Sequence, residues 1–319
     1  MRLFLGLLAP AAALALSAAP VHADQFVRML SGPAGGSWYP LGAKIMQLFQ
    51  EDVDGIATSN TSGGGVGNVK AVSDGDAELG WSYAHTAANG YNGVGTFNKK
   101  YDNIRHFATL YPSFFQTAVP ADSDIHSYPD MKDKNISPGQ AGFTGTAFAE
   151  SILKYYGFGF DDVKANGGTV SHASYTESVA LMKDGHIDVY MAVTSMPQAS
   201  FIELEQSPGI RFIGIPQDDL QKIIDVNPGF ITGVMPAGVY ESIKEDIHTL
   251  GAAAVLVINK DVPDEIAYEM CKSLWANHAA LAEVKGTWNA VKLETALNGA
   301  AIPVHPGAQR CYDELGVGG

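Results

Sequence analysis

The sequence is poor in cationic charge and in cysteine, and it lacks the usual marks of catalysis. Only 20 lysines and arginines stand against 34 acidic residues, a formal charge of −14 over 319 residues. So acidic a surface repels nucleic-acid phosphates and anionic headgroups, which argues against both as partners. The two cysteines, Cys271 and Cys311, belong to no nucleophile or metal pattern. Whether they pair stays open, because spacing along the chain does not give separation in space. The histidines are scattered without His-Glu-x-x-His spacing, and there is no Gly-x-Ser-x-Gly elbow, so the common metallo- and serine-hydrolase patterns fall away. No Gly-Lys-Ser/Thr follows a Gly-rich loop, and Asn68 stands where a dinucleotide fingerprint needs its last glycine. Neither cofactor nor metal is therefore expected. After residue 20 no apolar run is long enough to cross a bilayer.

What is present begins with Met1-Arg2, an apolar stretch from Leu3 to Pro20, and the small-residue end Val21-His22-Ala23. That pattern predicts a secretory signal peptide, residues 1–23, cleaved after Ala23; an uncleaved anchor is the alternative. Its removal leaves 319 − 23 = 296 residues and, with Arg2 gone, a charge of −15. The expected product is a periplasmic, monomeric protein long enough for two mid-sized α/β units. Its arginines are Arg28, Arg105, Arg211 and Arg310, none of them in a Gly-rich loop.

Three consecutive strand–loop–helix units follow. Phe26 to Leu30 reads as a strand, Gly32 to Ser37 as a loop, and Leu41, Ile45, Leu48 and Phe49 as one helix face. Ser37 is placed to cap that helix and Pro40 falls in its first turn. Gly35 and Gly36 allow close approach of backbone to an anion held at the helix start, although an ordinary tight turn reads the same way. Gly55 to Ser59, the loop Asn60 to Gly65 and the face Val66, Val69, Val72 make the second unit. Ala77 to Trp81, the segment Ser82 to His85 and a helix ending near Gly90 make the third. Such units imply a parallel sheet whose loops gather at the carboxyl ends of its strands. Tyr111 to Val119 reads as a strand, and Gly139 to Thr146 as a further Gly-rich loop before the helix of Phe148 and Ile152. Asp184-Gly-His-Ile-Asp188 then echoes Asp74-Gly-Asp-Ala-Glu78, 184 − 74 = 110 residues apart, as two lobes built alike would do. Ala252 to Ile258 reads as a buried strand, Pro263 to Leu281 as one helix and Gln309 to Leu315 as a last one.

Several of these pieces carry a more specific likeness. Gly35-Gly-Ser-Trp-Tyr-Pro-Leu-Gly42, Ser62-Gly-Gly-Gly-Val-Gly-Asn68, Asp74 to Leu79, Tyr91-Asn-Gly93, Thr144-Gly-Thr146, Asp184 to Asp188, Leu250 to Tyr268 and Ile302 to Gly307 occur in order along the mature chain. Together they resemble the TAXI family of solute receptors for TRAP transporters. The resemblance implies an α/β, two-lobed periplasmic binding protein of type II-like build, with a ligand cleft between the lobes. Lobe 1 would start with residues 24–116, lobe 2 would span 117–230, and 231–319 would return to lobe 1. The receptor would bind a small organic anion or amino acid, glutamate-like, dicarboxylate or more aromatic, and deliver it to TRAP membrane permease subunits. Carried over position by position, the cleft would comprise Gly36, Ser37, Ser62, Gly63, Gly64, Thr144, Gly145, Thr146, Ser195 and Pro197, with Trp38 and Tyr83 at its mouth. Tyr83, Ala84 and His85 stand where many members carry glutamine, a small polar residue and an acid. Gly65 replaces a common serine, and Ser195 a common glycine. The aromatics Trp38, Tyr39, Trp81 and Tyr83 favour a flatter or less polar solute, though each taken alone reads first as core packing.

Since no arginine lies on these loops, an anionic ligand would be read by backbone amides, hydroxyls and helix starts, Ser37 from one lobe and Thr144 and Thr146 from the other. A ligand sensor or the receptor of an ATP-driven importer would share this architecture, and a secreted hydrolase is the remaining rival class.

Overall fold

The computed structural model describes residues 25–33, 35–227 and 229–317, so the expected leader, residues 1–23, lies outside the described residues. The chain opens β1 (Gln25–Leu30), α1 (Trp38–Asp52), β2 (Ile56–Thr61), α2 (Gly65–Asp74), β3 (Leu79–Tyr83), α3 (Ala84–Asn92) and the long β4 (Ile104–Pro120). A second set follows: β5 (Ile136–Ser137), α4 (Thr144–Tyr155), α5 (Phe160–Ala165), α6 (Tyr175–Lys183), β6 (Val189–Thr194), α7 (Ala199–Gln206), β7 (Ile210–Phe212) and α8 (Gln217–Val226). β8 (Ile231–Met235), β9 (Ile247–Asn259), α9 (Asp264–Ala276), α10 (His278–Val284) and α11 (Pro306–Glu314) complete it.

The strands form one sheet in the order β2-β1-β3-β9-β4-β6-β5, with β7 paired to β4 and β8 to β9. Its two ends repeat one plan. At one end β1 runs parallel to β2 and β3, and β9 lies antiparallel beside β3. At the other, β5 runs parallel to β6 and bridges in parallel to Val170, while β4 lies antiparallel beside β6. The Asp-Gly echo falls on equivalent turns: Gly75 (φ 84°) ends α2 before β3, and Gly185 (φ 70°) follows α6 before β6. Both need the left-handed backbone that glycine adopts without a Cβ penalty.

β4 and β9 join the halves. β4 pairs with β9 from Ile104 to Phe114 and with β6 and β7 from Phe114 to Pro120. The strand thus starts seven residues earlier than the pattern around Tyr111 suggests. Pro112 interrupts that pattern, but the register shifts between Thr109 and Pro112, and a bulge is where a strand tolerates proline. The helix expected over Pro263 to Leu281 is two helices. Asn277 breaks it, donating to Asp52 Oδ2 at 2.7 Å and to the Ser273 carbonyl at 2.9 Å. Cys271 and Cys311 are bonded, joining α9 to α11 with their Cα atoms 6.3 Å apart, and both are fully buried. In the Pro-Val-His-Pro-Gly segment His305 accepts the Gly307 amide at the start of α11 and its other ring nitrogen meets the Val262 carbonyl.

Apolar burial follows the helical spacing read from the sequence. Leu41, Ile45, Leu48 and Phe49 of α1 are buried, as are Val66, Val69 and Val72 of α2. Among the described residues no helix is long and apolar enough to cross a membrane.

Candidate functional site

Asn68 organises the first set of loops. Its amide nitrogen donates to the carbonyls of Leu30, Ser31 and Trp81, and its oxygen accepts the Gly64 amide at 3.0 Å. One side chain thereby ties the carboxyl ends of β1 and β3 to the loop before α2. In the second half Thr146 plays a comparable part, its hydroxyl donating to the Gln140 carbonyl at 2.7 Å with the Gly139 carbonyl at 3.1 Å.

The two sets of loops face each other across a small cleft. Pro33, Gly36, Ser37, Trp38, Gly64, Gly65 and Tyr83 line one wall; Phe143, Thr144, Gly145, Tyr175, Val193 and Thr194 line the other. Direct bonds hold the walls together. Ser37 Oγ and Ser195 Oγ are 2.7 Å apart and buried. The Gln198 side chain donates to the Gly35 carbonyl at 2.8 Å, and the Gly67 amide, in the first turn of α2, donates to the Gly142 carbonyl at 3.1 Å. Tyr83 and Tyr175 both donate to the Val193 carbonyl at 3.1 Å. The Phe143 ring rests on Gly64 so closely that a Cβ there would overlap it, and Thr144 sits on Gly65 in the same way. Pressed together like this, the walls enclose about 30 Å³, the share of one water molecule in the liquid. Any larger guest requires the halves to part.

Among the described residues no charged side chain lines this cleft. The four described arginines are all engaged elsewhere: Arg28 with Glu78, Arg105 with the Asp102 carbonyl, Arg211 with the Ser123 carbonyl and Arg310 with Glu265. What faces the cleft instead are the starts of α1, α2, α4 and α6, whose first amides lack intrahelical acceptors and carry the positive end of the helix dipole. Burial pushes the Tyr83 and Tyr175 hydroxyls well above the ordinary phenol range, so both remain donors. Burial also lowers His85 to about 3, keeping it neutral, with Nε2 3.1 Å from the Thr86 hydroxyl.

The sequence-derived positions fare unequally. Gly36, Ser37, Trp38, Gly64, Tyr83, Thr144 and Gly145 lie on the walls, and Ser195 meets Ser37 across them. Ser37 stands at the N-cap of α1 but makes no cap bond, because its hydroxyl reaches Ser195 instead. Ser62 is exposed beside the loop, Gly63 is half-buried and donates to the Gly32 carbonyl, and Pro197 is exposed after a cis peptide bond. The Thr146 hydroxyl is occupied within its own loop, whereas Thr144 lies on the cleft wall. Gly65, noted in the sequence as a departure from the family pattern, also lies on the wall, whereas Phe143, Tyr175, Val193 and Thr194 were not foreseen. Phe143 directly precedes the Thr144-Gly-Thr motif, a signal that could have found it; Tyr175 lies far from any motif.

Behind the cleft, Trp81, Tyr111 and Trp288 pack with ring centroids 6.4–6.5 Å apart. The Trp81 and Trp288 indole nitrogens and the Tyr111, Ser113 and Thr287 hydroxyls have no hydrogen-bond partner among the described residues. Buried donors of this kind are costly, at about 1–3 kcal/mol each. No group of three histidine, cysteine or acidic side chains placed to hold a metal occurs among the described residues.

Comparison with known proteins bears on the family and the fold. The profile of the NMT1-like family matches residues 29–316. Among solved structures, the periplasmic binding protein BugD is similar at a TM-score of 0.54 and 11% identity, over 91% of this chain and 95% of that one. XAC2383 from Xanthomonas citri, bound to ATP, is similar at 0.52 and 11% identity, over 92% and 95% of the two chains. The fold is that of two-lobed periplasmic solute-binding proteins, and at such identities the likeness reaches no further than the fold.

Proposed function

This chain belongs to the NMT1-like family, and from that premise we propose that it is an extracytoplasmic receptor of the TAXI type. It would take a small organic acid or amino acid between its lobes and hand it to the membrane subunits of a TRAP-type transporter. We assign residues 1–23 as the export signal, residues 24–116 to the first lobe and residues 117–230 to the second. We infer that the return to the first lobe, expected over residues 231–319, is made through its β-strands, with Tyr240 packed on Phe201 and Phe212 of the second half at 6.0 and 4.8 Å before the crossing. We place it at β9.

One observation carries the reading: a cleft between two half-sheets is lined by helix starts and hydroxyls, with every described arginine occupied elsewhere. A carboxylate there is held by peptide N–H groups and by the hydroxyls of Ser37 and Thr144, while Tyr83 and Tyr175 spend their single O–H on the Val193 carbonyl. Each such bond to a charged group is worth about 1.5–3 kcal/mol, and together they suffice for a dissociation constant near micromolar. Because donors come from both walls, the bound acid favours the closed form. Binding is a better reading than catalysis, because Ser37 and Ser195 bond to each other while His85 is engaged with Thr86.

The test is titration calorimetry with the acid giving the largest thermal shift in a screen of amino acids, dicarboxylates and aromatic acids. Ser37→Ala and Thr144→Ala should each weaken it about tenfold. Unchanged affinity in both would remove these loops from the binding role.

A further inference from the structure

A second and larger cavity, about 450 Å³, lies beside the cleft. α3 of the first half and α4 of the second form its main walls, and Val226, Asn227 and Phe230 line a third side. Thr144 of the cleft lining and Thr86 of the cavity lining meet where the two approach, their hydroxyls 3.3 Å apart.

Its chemistry differs from the cleft's. Phe97, Phe148 and Phe230 give it apolar faces, while Thr86, Asn89 and Ser151 add uncharged polar groups. His85, nine-tenths buried, stands edge-on to Phe148 and Phe230 at 5.4 and 5.1 Å. Lys154 is the one cation among its described lining residues, and Glu150 neutralises it at 2.9 Å. The walls therefore carry no net charge. A dry cavity of about 150 Å³ is enough to hold benzene, so the volume admits an aromatic ring with a substituent.

We infer that this cavity is the second compartment of the solute site, and that the solute is an aromatic or heteroaromatic acid. The inference rests on the organic-acid reading of the cleft. The carboxylate meets the helix starts, and the ring passes the Thr86–Thr144 pair when the halves part. The ring then lies against Phe148 and Phe230. Since α3 and α4 come from different halves, a ring held here adds to the preference for closure.

Calorimetry with propanoate, 3-phenylpropanoate and 3-(4-hydroxyphenyl)propanoate separates the two readings. The expected result is that the unmodified protein binds the two aryl acids at least about tenfold more tightly than propanoate, as burial of one ring predicts. Ser151→Trp, which fills the cavity from a half-buried position on α4, should abolish that preference and leave propanoate within about twofold. Asn89→Phe fills it from α3 and serves if the first variant fails to fold. Equal affinity for all three acids, or an aryl preference that survives both variants, overturns the second compartment while leaving the cleft reading intact. So does aryl-acid binding that propanoate cannot compete away, since the ring would then occupy a separate site. Failure of all three acids to bind the unmodified protein at millimolar concentration, while an amino acid or dicarboxylate binds, overturns the second compartment and leaves the cleft reading standing; failure of every acid in the screen sinks both.

Discussion

The two halves of the molecule share a plan and differ in what they bring to the junction. Each runs strand, Gly-rich loop and helix, and each is closed by an antiparallel strand that comes from the other side, β9 beside β3 and β4 beside β6. At the junction the first half offers bare backbone at Gly64 and Gly65, and the second fills it with Phe143 and Thr144. Glycine therefore means different things in the two loops. In the first it is a socket; in the second, at Gly145, the nearest atoms to a built Cβ are at 3.6 Å and 3.7 Å, ordinary contact. The halves also differ in how they are secured, since only the first has a disulfide behind it, on helices packed against α1 through Ser273 and Asp52.

The largest expected effect comes from that covalent difference. Replacing Cys271 and Cys311 by alanine opens a 40-residue separation, which chain entropy values at about 4 kcal/mol. Melting temperature should fall by roughly 10 °C, while calorimetric affinity for the cognate acid, measured where the variant remains folded, should be unchanged. A loss of affinity would mean that the staple also shapes the cleft.

The socket is tested next. Gly64→Val should block closure and weaken the acid about a hundredfold, roughly 2.7 kcal/mol, and Phe143→Ala in the same chain should restore much of it. Gly145→Ala should stay within about twofold. Small-angle scattering should show the Gly64 variant remaining open with ligand present. Equal sensitivity of both glycines would break the asymmetry between the halves.

His85 sharpens the comparison at the boundary. Its pKa in the fold is about 3 against an ordinary 6.5 or so, so the unfolded chain binds the extra proton between those values and stability falls as the pH drops through that window. At pH 5 the loss is about 2 kcal/mol, or roughly 5 °C, and above pH 7 it vanishes. Replacing it in His85→Phe should flatten the melting-temperature profile between pH 7 and 5, leaving a smaller slope from His106 and His305, which burial also lowers. An unaltered profile would show that the ring is not buried between the halves.

The smallest effect is expected at Tyr111. Its hydroxyl makes no well-formed hydrogen bond among the described residues, with Ser37, Thr287 and Trp38 close by, so Tyr111→Phe should leave stability unchanged or raise it by at most about 1 kcal/mol, a rise of no more than roughly 2–4 °C in melting temperature. A fall would mean that the hydroxyl is satisfied after all.

Local signals made much of this legible. Glycines at left-handed turns, helical spacing of Val66, Val69 and Val72, and the repeated Asp-Gly turn give the two-part plan, because each depends on neighbours a few residues away. Contacts between distant segments were not legible. Ser37 has the spacing of a cap, yet Ser195, 158 residues on, takes its hydroxyl. Asn68 reads as a failed glycine of a nucleotide motif, whereas its role is to tie three carbonyls and an amide. Asn277 breaks a helix without glycine or proline, through Asp52 on a helix far away in sequence. The cavity walled by α3 and α4 exists only because two halves meet, and neither helix alone carries a mark of it.

The central claim is that an organic acid is held by peptide N–H groups and hydroxyls and not by a cationic side chain. A crystal structure of the protein with its tightest acid tests this most directly. The account predicts carboxylate oxygens within about 2.7–3.2 Å of donors at the starts of α1 and α4, with Arg28, Arg105, Arg211 and Arg310 keeping their present partners. An acid whose carboxylate pairs with an arginine or lysine, or one bound outside the junction of the halves, would contradict it.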